Sequence, residues 1–383
     1  MRYDVEISTN ILDWVLSILN PSETNPQIFE ILVAWQKGEK TPTYNKVLEI
    51  SRATGIPLGY FFLNKPPQED VSLVNYRTVK SIDLKQPSRA LKTTILDMEL
   101  VQDWLSNQLI KDCYDKNDYV KSLNKNTDII TLSQTVRKKL NIDIEWFKSS
   151  RNAEDSFKFL RQAISDSGVV VMANGIVRNN TSKNLSIDEF RAFALIDDYA
   201  PLIFINTNDS VNGKLFSLLH EYVHIGLGKN SLYNDRCSCH NEISKTEQIC
   251  NAVAAEILVP QEIFNNQWSL LNTDGDIEKN INKIARYFKC GVVVVARKAL
   301  ENHYISKEQY SLIANNAVQN YKKRKTNGGD FYRSLNSKID TNFLNYLVSS
   351  VEKGNTLYTE AFRLTNTNSK TFNNLKTQIE GGF

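Results

Sequence analysis

Fourteen residues at 215–228, LFSLLHEYVHIGLG, constrain the fold of this chain more than any other stretch. Leu215, Leu218, Leu219, Val223 and Leu227 supply the apolar packing of a buried helix, and Gly226 or Gly228 follows where that helix can end. Within it His220 and His224 stand four residues apart, one above the other on the same face. Both imidazoles can therefore meet one metal ion, while Glu221 lies beside that ion and within reach of its water. The chain holds only 4 histidines, which makes a chance match of this pattern rare. The competing reading is a packing helix with two histidines four apart. Against it, the helix follows directly on PLIFIN at 201–206, expected to be an edge strand able to pair with an extended polypeptide.

A catalytic zinc takes three protein ligands and keeps one position open. Downstream candidates for the third are His240, Glu242, Glu247 and Glu256. SKTEQICNAVAAEILVP at 244–260 reads as a helix stopped by Pro260, with Ala252, Ala254 and Ala255 small enough for close helix packing. Glu247 lies 23 residues after His224, enough chain for a loop and a return. Ser244-Lys245-Thr246-Glu247 is equally a capping box, so spacing leaves ligand and cap even. Glu256 follows nine residues later, about 180° around the helix, so the two cannot serve one ion. Cys237, Cys239 and His240 form a CxCH cluster with no partner pair, a weak sign of a second metal or of oxidation sensing.

Around this motif the chain reads as α+β and mostly helical. Helices are expected at 9–19, 27–37, 43–54, 88–110, 132–140, 153–165, 211–226 and 245–258. Strands are expected at 169–173, 189–196 and 201–206, a small sheet placed just before the histidine helix. NKPPQED at 64–70 reads as a linker, and NTDGD at 272–276 and TNGGD at 326–330 are further breaks. Four regions follow: 1–70, 71–270, 271–325 and 326–383. Lys+Arg 46 against Asp+Glu 43 gives a net charge of +3, so nucleic-acid binding would need a local basic patch. MRYDVEISTN shows no secretory h-region, and runs such as GVVVVA at 291–296 are too short to span a bilayer. Five scattered cysteines do not form a disulfide framework. The expectation is a soluble cytoplasmic protein without a membrane partner.

The stretch from IDEFRAFALIDDYAPLIFIN to HEYVHIGLG, followed by TEQICNAVAAEILVP, resembles the ImmA/IrrE family of zinc metallopeptidases. The resemblance implies a zincin-like core. Position by position it makes His220, His224 and Glu247 the zinc ligands and Glu221 the catalytic base, with Glu247 four residues before Asn251 of the second motif. AWQKGEKTPTYNKVLEISRATGIPLGYFFLNKPP at 34–67 is similar to the end of the helix-turn-helix module often fused to these peptidases. Its first half is poorly matched and NPSETNPQ at 20–27 interrupts it. The segments 281–306 and 328–354 are similar to the helices that follow the active site and to extensions of longer members.

The implied activity is zinc-dependent cleavage of a protein substrate, a DNA-binding repressor or antitoxin of a mobile or defence element, under stress. Asn206, Arg191 and Tyr233 are candidates for substrate or oxyanion contacts and equally for structural roles. The alternative is a DNA- or toxin-binding regulator whose zinc site is structural or vestigial. The segment AWQKGEKTPT at 34–43 and the basic run Lys322-Lys323-Arg324-Lys325 favour it. A non-peptidase zinc hydrolase also fits the motif alone.

Overall fold

The computed structural model describes residues 3–19, 24–67, 87–233, 245–271, 276–322 and 337–380. The chain divides into two compact units, residues 1–74 with 86–92, and residues 75–85 with 93–383.

The first unit holds helices α1 (Thr9–Ile18), α2 (Pro26–Gln36) and α3 (Tyr44–Thr54), then a 3-10 turn at Leu58–Phe62. Asn25 caps α2 by accepting from the Gln27 amide, with Pro26 in the first turn where no amide is needed. Ile11, Leu12, Val15, Leu32, Trp35, Val47, Ile50 and Phe61 close a core of their own.

Helix α4 (Arg89–Lys111) starts within residues 86–92 of the first unit and runs on into the second, where α5 (Ile129–Lys139) and α6 (Ala153–Asp166) precede strands β1 (Val170–Asn174), β2 (Ala192–Leu195) and β3 (Leu202–Asn206). Then follow α7 (Val211–Leu227), β4 (Ser231–Tyr233), α8 (Lys245–Leu258), α9 (Gln261–Ser269), α10 (Ile277–Tyr287), α11 (Val292–Glu301) and α12 (Lys307–Lys322). The C-terminal helices are α13 (Thr341–Glu352), α14 (Tyr358–Thr365) and α15 (Ser369–Glu380). The described residues thus hold fifteen α-helices around one small mixed sheet. This is the mostly helical α+β, zincin-like fold.

The strand order is β1-β3-β2-β4, with β1 parallel to β3 and β2 antiparallel to both its neighbours. This corrects the expectation for 201–206. β3 lies inside the sheet, paired along both sides, so no incoming segment can add to it. All five of its residues are buried, as a strand covered on both faces requires. The edge that follows the histidine helix is β4, three residues long and unforeseen in the sequence.

The other edge is covered from far along the chain. The Ala173 amide donates to the Lys338 carbonyl at 2.8 Å. Asp340 accepts from the Val171 amide at 3.0 Å, the Phe343 amide at 2.9 Å and the Ser165 hydroxyl at 2.9 Å. Arg161 donates to the carbonyls of Val171, Ser337 and Ile339. Asp340 thereby caps α13 and ties it to β1 in one side chain. The breaks expected at 272–276 and 326–330 lie, apart from Asp276, outside the described residues, as do Pro67's successors in the 64–70 linker.

Candidate metal centre

α7 carries the site, and its ends are fixed by sequence. Ser210 caps the start by accepting from the Gly213 amide, and Gly228 ends the helix with φ +69°, a conformation that favours glycine. Leu215, Leu218, Leu219, Val223 and Ile225 are fully buried, worth about 1.5–3 kcal/mol each. At Gly226 a β-carbon would stand 2.6 Å from Leu123 and 2.7 Å from the Tyr119 hydroxyl, so only glycine lets that segment close. There the amides of Lys121 and Leu123 donate to the carbonyls of Ile225 and Gly226.

His220, Glu221 and His224 are buried on the face turned toward α8. The two imidazole Nε2 atoms lie 3.1 Å apart. Glu247, in the first turn of α8, places one carboxylate oxygen 3.2 Å from each of them. Burial alone would raise the Glu247 carboxyl, but its bonds to His220 and His224 hold it well below the usual carboxylate range. Burial pulls the His224 imidazole down, yet Cys250, Glu247 and Glu221 outweigh it and hold the ring above its ordinary value. Two ring nitrogens facing each other at this distance, beside a carboxylate, are held together either by a shared proton or by a metal cation. A tetrahedral ion with bonds of about 2.0–2.1 Å sets its ligand atoms about 3.3 Å apart. The observed separations of 3.1 and 3.2 Å fit such an ion. Among the described residues these three are the group able to hold a metal.

Glu221 is fully buried beside them, and burial pushes its carboxyl up, against the pull of both imidazoles and of the Ser231 hydroxyl. Ser231 donates to its Oε2, while Oε1 has no hydrogen-bond partner among the described residues.

Of the other ligand candidates, Glu256 faces away. Its Oε2 pairs with the Lys298 ammonium at 2.5 Å and its Oε1 accepts from the Gln261 amide at 3.0 Å, both inside the protein. His240, Glu242, Cys237, Cys239 and the cap residue Ser244 lie outside the described residues. Asn206 is fully buried and donates to the carbonyls of Phe190 at 3.1 Å and Leu185 at 3.4 Å. Arg191 pairs with buried Asp209 at 2.9 Å, just before α7. Asn206 ties the 185–190 segment to the end of β3, and Arg191 ties the start of β2 to the residue before the Ser210 cap. Tyr233 ends β4. Sequence reasoning missed Ser231, and no motif marks it. It also missed Cys250, fully buried one turn beyond Glu247 and in contact with His224.

An apolar-faced HExxH helix, a glutamate from the next helix and a small mixed sheet are the parts of a zincin-like fold. Residues 166–300 match the model of Peptidase M78, the IrrE N-terminal-like domain. That match supports the ImmA/IrrE family and a metallopeptidase-type function for this part of the chain. Residues 339–378, the covered-edge segment and its helices, match a domain of unknown function (DUF8813). No curated protein and no solved structure matches the chain. No helix among the described residues is long and apolar enough to cross a membrane.

Proposed function

We propose that this chain is a zinc-dependent endopeptidase in which His220, His224 and Glu247 hold the metal and Glu221 is the general base. The observation that carries the reading is the meeting of two Nε2 atoms and one carboxylate beside a buried glutamate, one of whose oxygens has no partner among the described residues. Zinc bound there would supply Lewis acidity, polarising the scissile carbonyl and acidifying a water. Glu221 Oε1 takes the proton as the water oxygen bonds to the carbonyl carbon, then delivers it to the nitrogen as the C–N bond breaks. Water excluded from the buried pair strengthens each of these interactions.

The substrate in this reading is a protein, a DNA-binding repressor or an antitoxin. An extended segment of it adds to the outer edge of β4, which has one neighbour, β2, among the described residues. The N-terminal unit is proposed to meet DNA or the DNA-binding substrate, and the protein to act in the cytoplasm under stress. The test is incubation of zinc-loaded protein with regulators encoded beside it, analysed by mass spectrometry. Cleavage by the native protein and none by Glu221→Gln, with zinc retained, supports the reading. Full biological activity of Glu221→Gln would leave a DNA- or toxin-binding regulator with a structural zinc.

A further inference from the structure

We propose that Ser231 is a positioning residue for Glu221, an inference that rests on the metallopeptidase reading. The turn after α7 is built to deliver it. Gly228 ends the helix in the left-handed conformation, and the Lys229 amide donates back to the His224 carbonyl at 3.1 Å. Asn230 accepts from the Ile196 amide at 2.6 Å, which fixes the turn to the end of β2. Ser231 then enters β4 opposite Ala194. Ten residues after Glu221, the chain has returned to lay a hydroxyl on its carboxylate.

The consequence is an asymmetry between the two oxygens. Oε2 accepts the Ser231 hydroxyl, and Oε1 is left without a partner among the described residues. Glu221 is fully buried and Ser231 is 7% exposed, so bulk water does not substitute for this bond. A carboxylate held by one oxygen keeps the other aimed, and proton transfer depends steeply on that geometry. Because Ser231 belongs to β4, the strand nearest an incoming segment, the same element can seat the substrate and set the base.

Acetohydroxamic acid is a suitable probe, since a hydroxamate bound to such a metal hydrogen-bonds to the neighbouring glutamate. Its binding to zinc-loaded protein is measured by calorimetry for the native chain, Ser231→Ala, Ser231→Thr and Glu221→Gln, with zinc content and melting temperature in parallel. The expected result is about a tenfold weaker complex for Ser231→Ala, with zinc content unchanged and the melting temperature lower by about 2–6 °C for the oxygen left unpaired. Ser231→Thr, which keeps the hydroxyl, is expected to bind as the native chain does. Native-like binding by Ser231→Ala overturns the positioning role while zinc-loaded native protein still supports the metal site. A native chain that takes up no zinc overturns both.

Discussion

Changing Lys298 to Met removes the partner of a buried carboxylate and leaves the metal ligands untouched. Lys298 and Glu256 are each 7% exposed and their charged groups lie 2.5 Å apart. Deleting one member of a buried pair costs about 3–5 kcal/mol, because the other charge stays in the interior. The lower end applies here. The Arg137 guanidinium, which donates to the Glu256 carbonyl at 2.6 Å, remains close to the stranded carboxylate. At about 2 °C per kcal/mol for a unit this large, a loss of about 3 kcal/mol lowers the melting temperature by about 6 °C. Glu256→Gln combined with Lys298→Met restores about half of the loss, since no unpaired charge is then buried. Thermal unfolding followed by circular dichroism measures both, with bound zinc determined in each variant. A loss below about 1 kcal/mol for Lys298→Met would refute the buried-pair reasoning. Zinc lost from Glu256→Gln would refute the choice of Glu247 over Glu256.

Three further outcomes are expected. Asp340→Ala orphans the Val171 and Phe343 amides and the Ser165 hydroxyl; urea denaturation is expected to show a loss of about 3 kcal/mol. Burial pushes the Cys290 thiol up to about 12, so at pH 8 its thiolate fraction is about 10⁻⁴. Iodoacetamide mapping of native protein is therefore expected to label exposed Cys113 and to spare Cys290 until the chain is unfolded. Zinc must displace a proton from His224, whose raised value favours the imidazolium in the metal-free site. Affinity is accordingly expected to rise with pH up to that value and to level above it, with proton release that shrinks in step, both read by calorimetry in two buffers.

The site was more legible than its surroundings. Two histidines at helical spacing on an apolar-faced helix need only local periodicity to be read, and α7 spans 211–227 against an expected 211–226. Glu247 was a different matter. Its capping-box and ligand readings are equal on spacing, and what separates them is the approach of α8 to α7, a tertiary fact. The run PLIFI held an unused clue: five consecutive apolar residues fit a strand buried on both faces, which belongs inside a sheet. β4 left no clue, because three residues carry no period and its importance lies in pairing with β2. The cover over β1 was equally hidden. It joins residues 171–173 to 338–340, and no local pattern records a contact across that much chain.

The central claim is that His220, His224 and Glu247 together hold one zinc ion. Elemental analysis of the purified native chain, His220→Ala, Glu247→Ala and Glu221→Gln tests it most directly. The account predicts about one zinc per native chain, lost in His220→Ala and Glu247→Ala and kept in Glu221→Gln. A native chain without zinc, or zinc that survives both ligand substitutions, would contradict it.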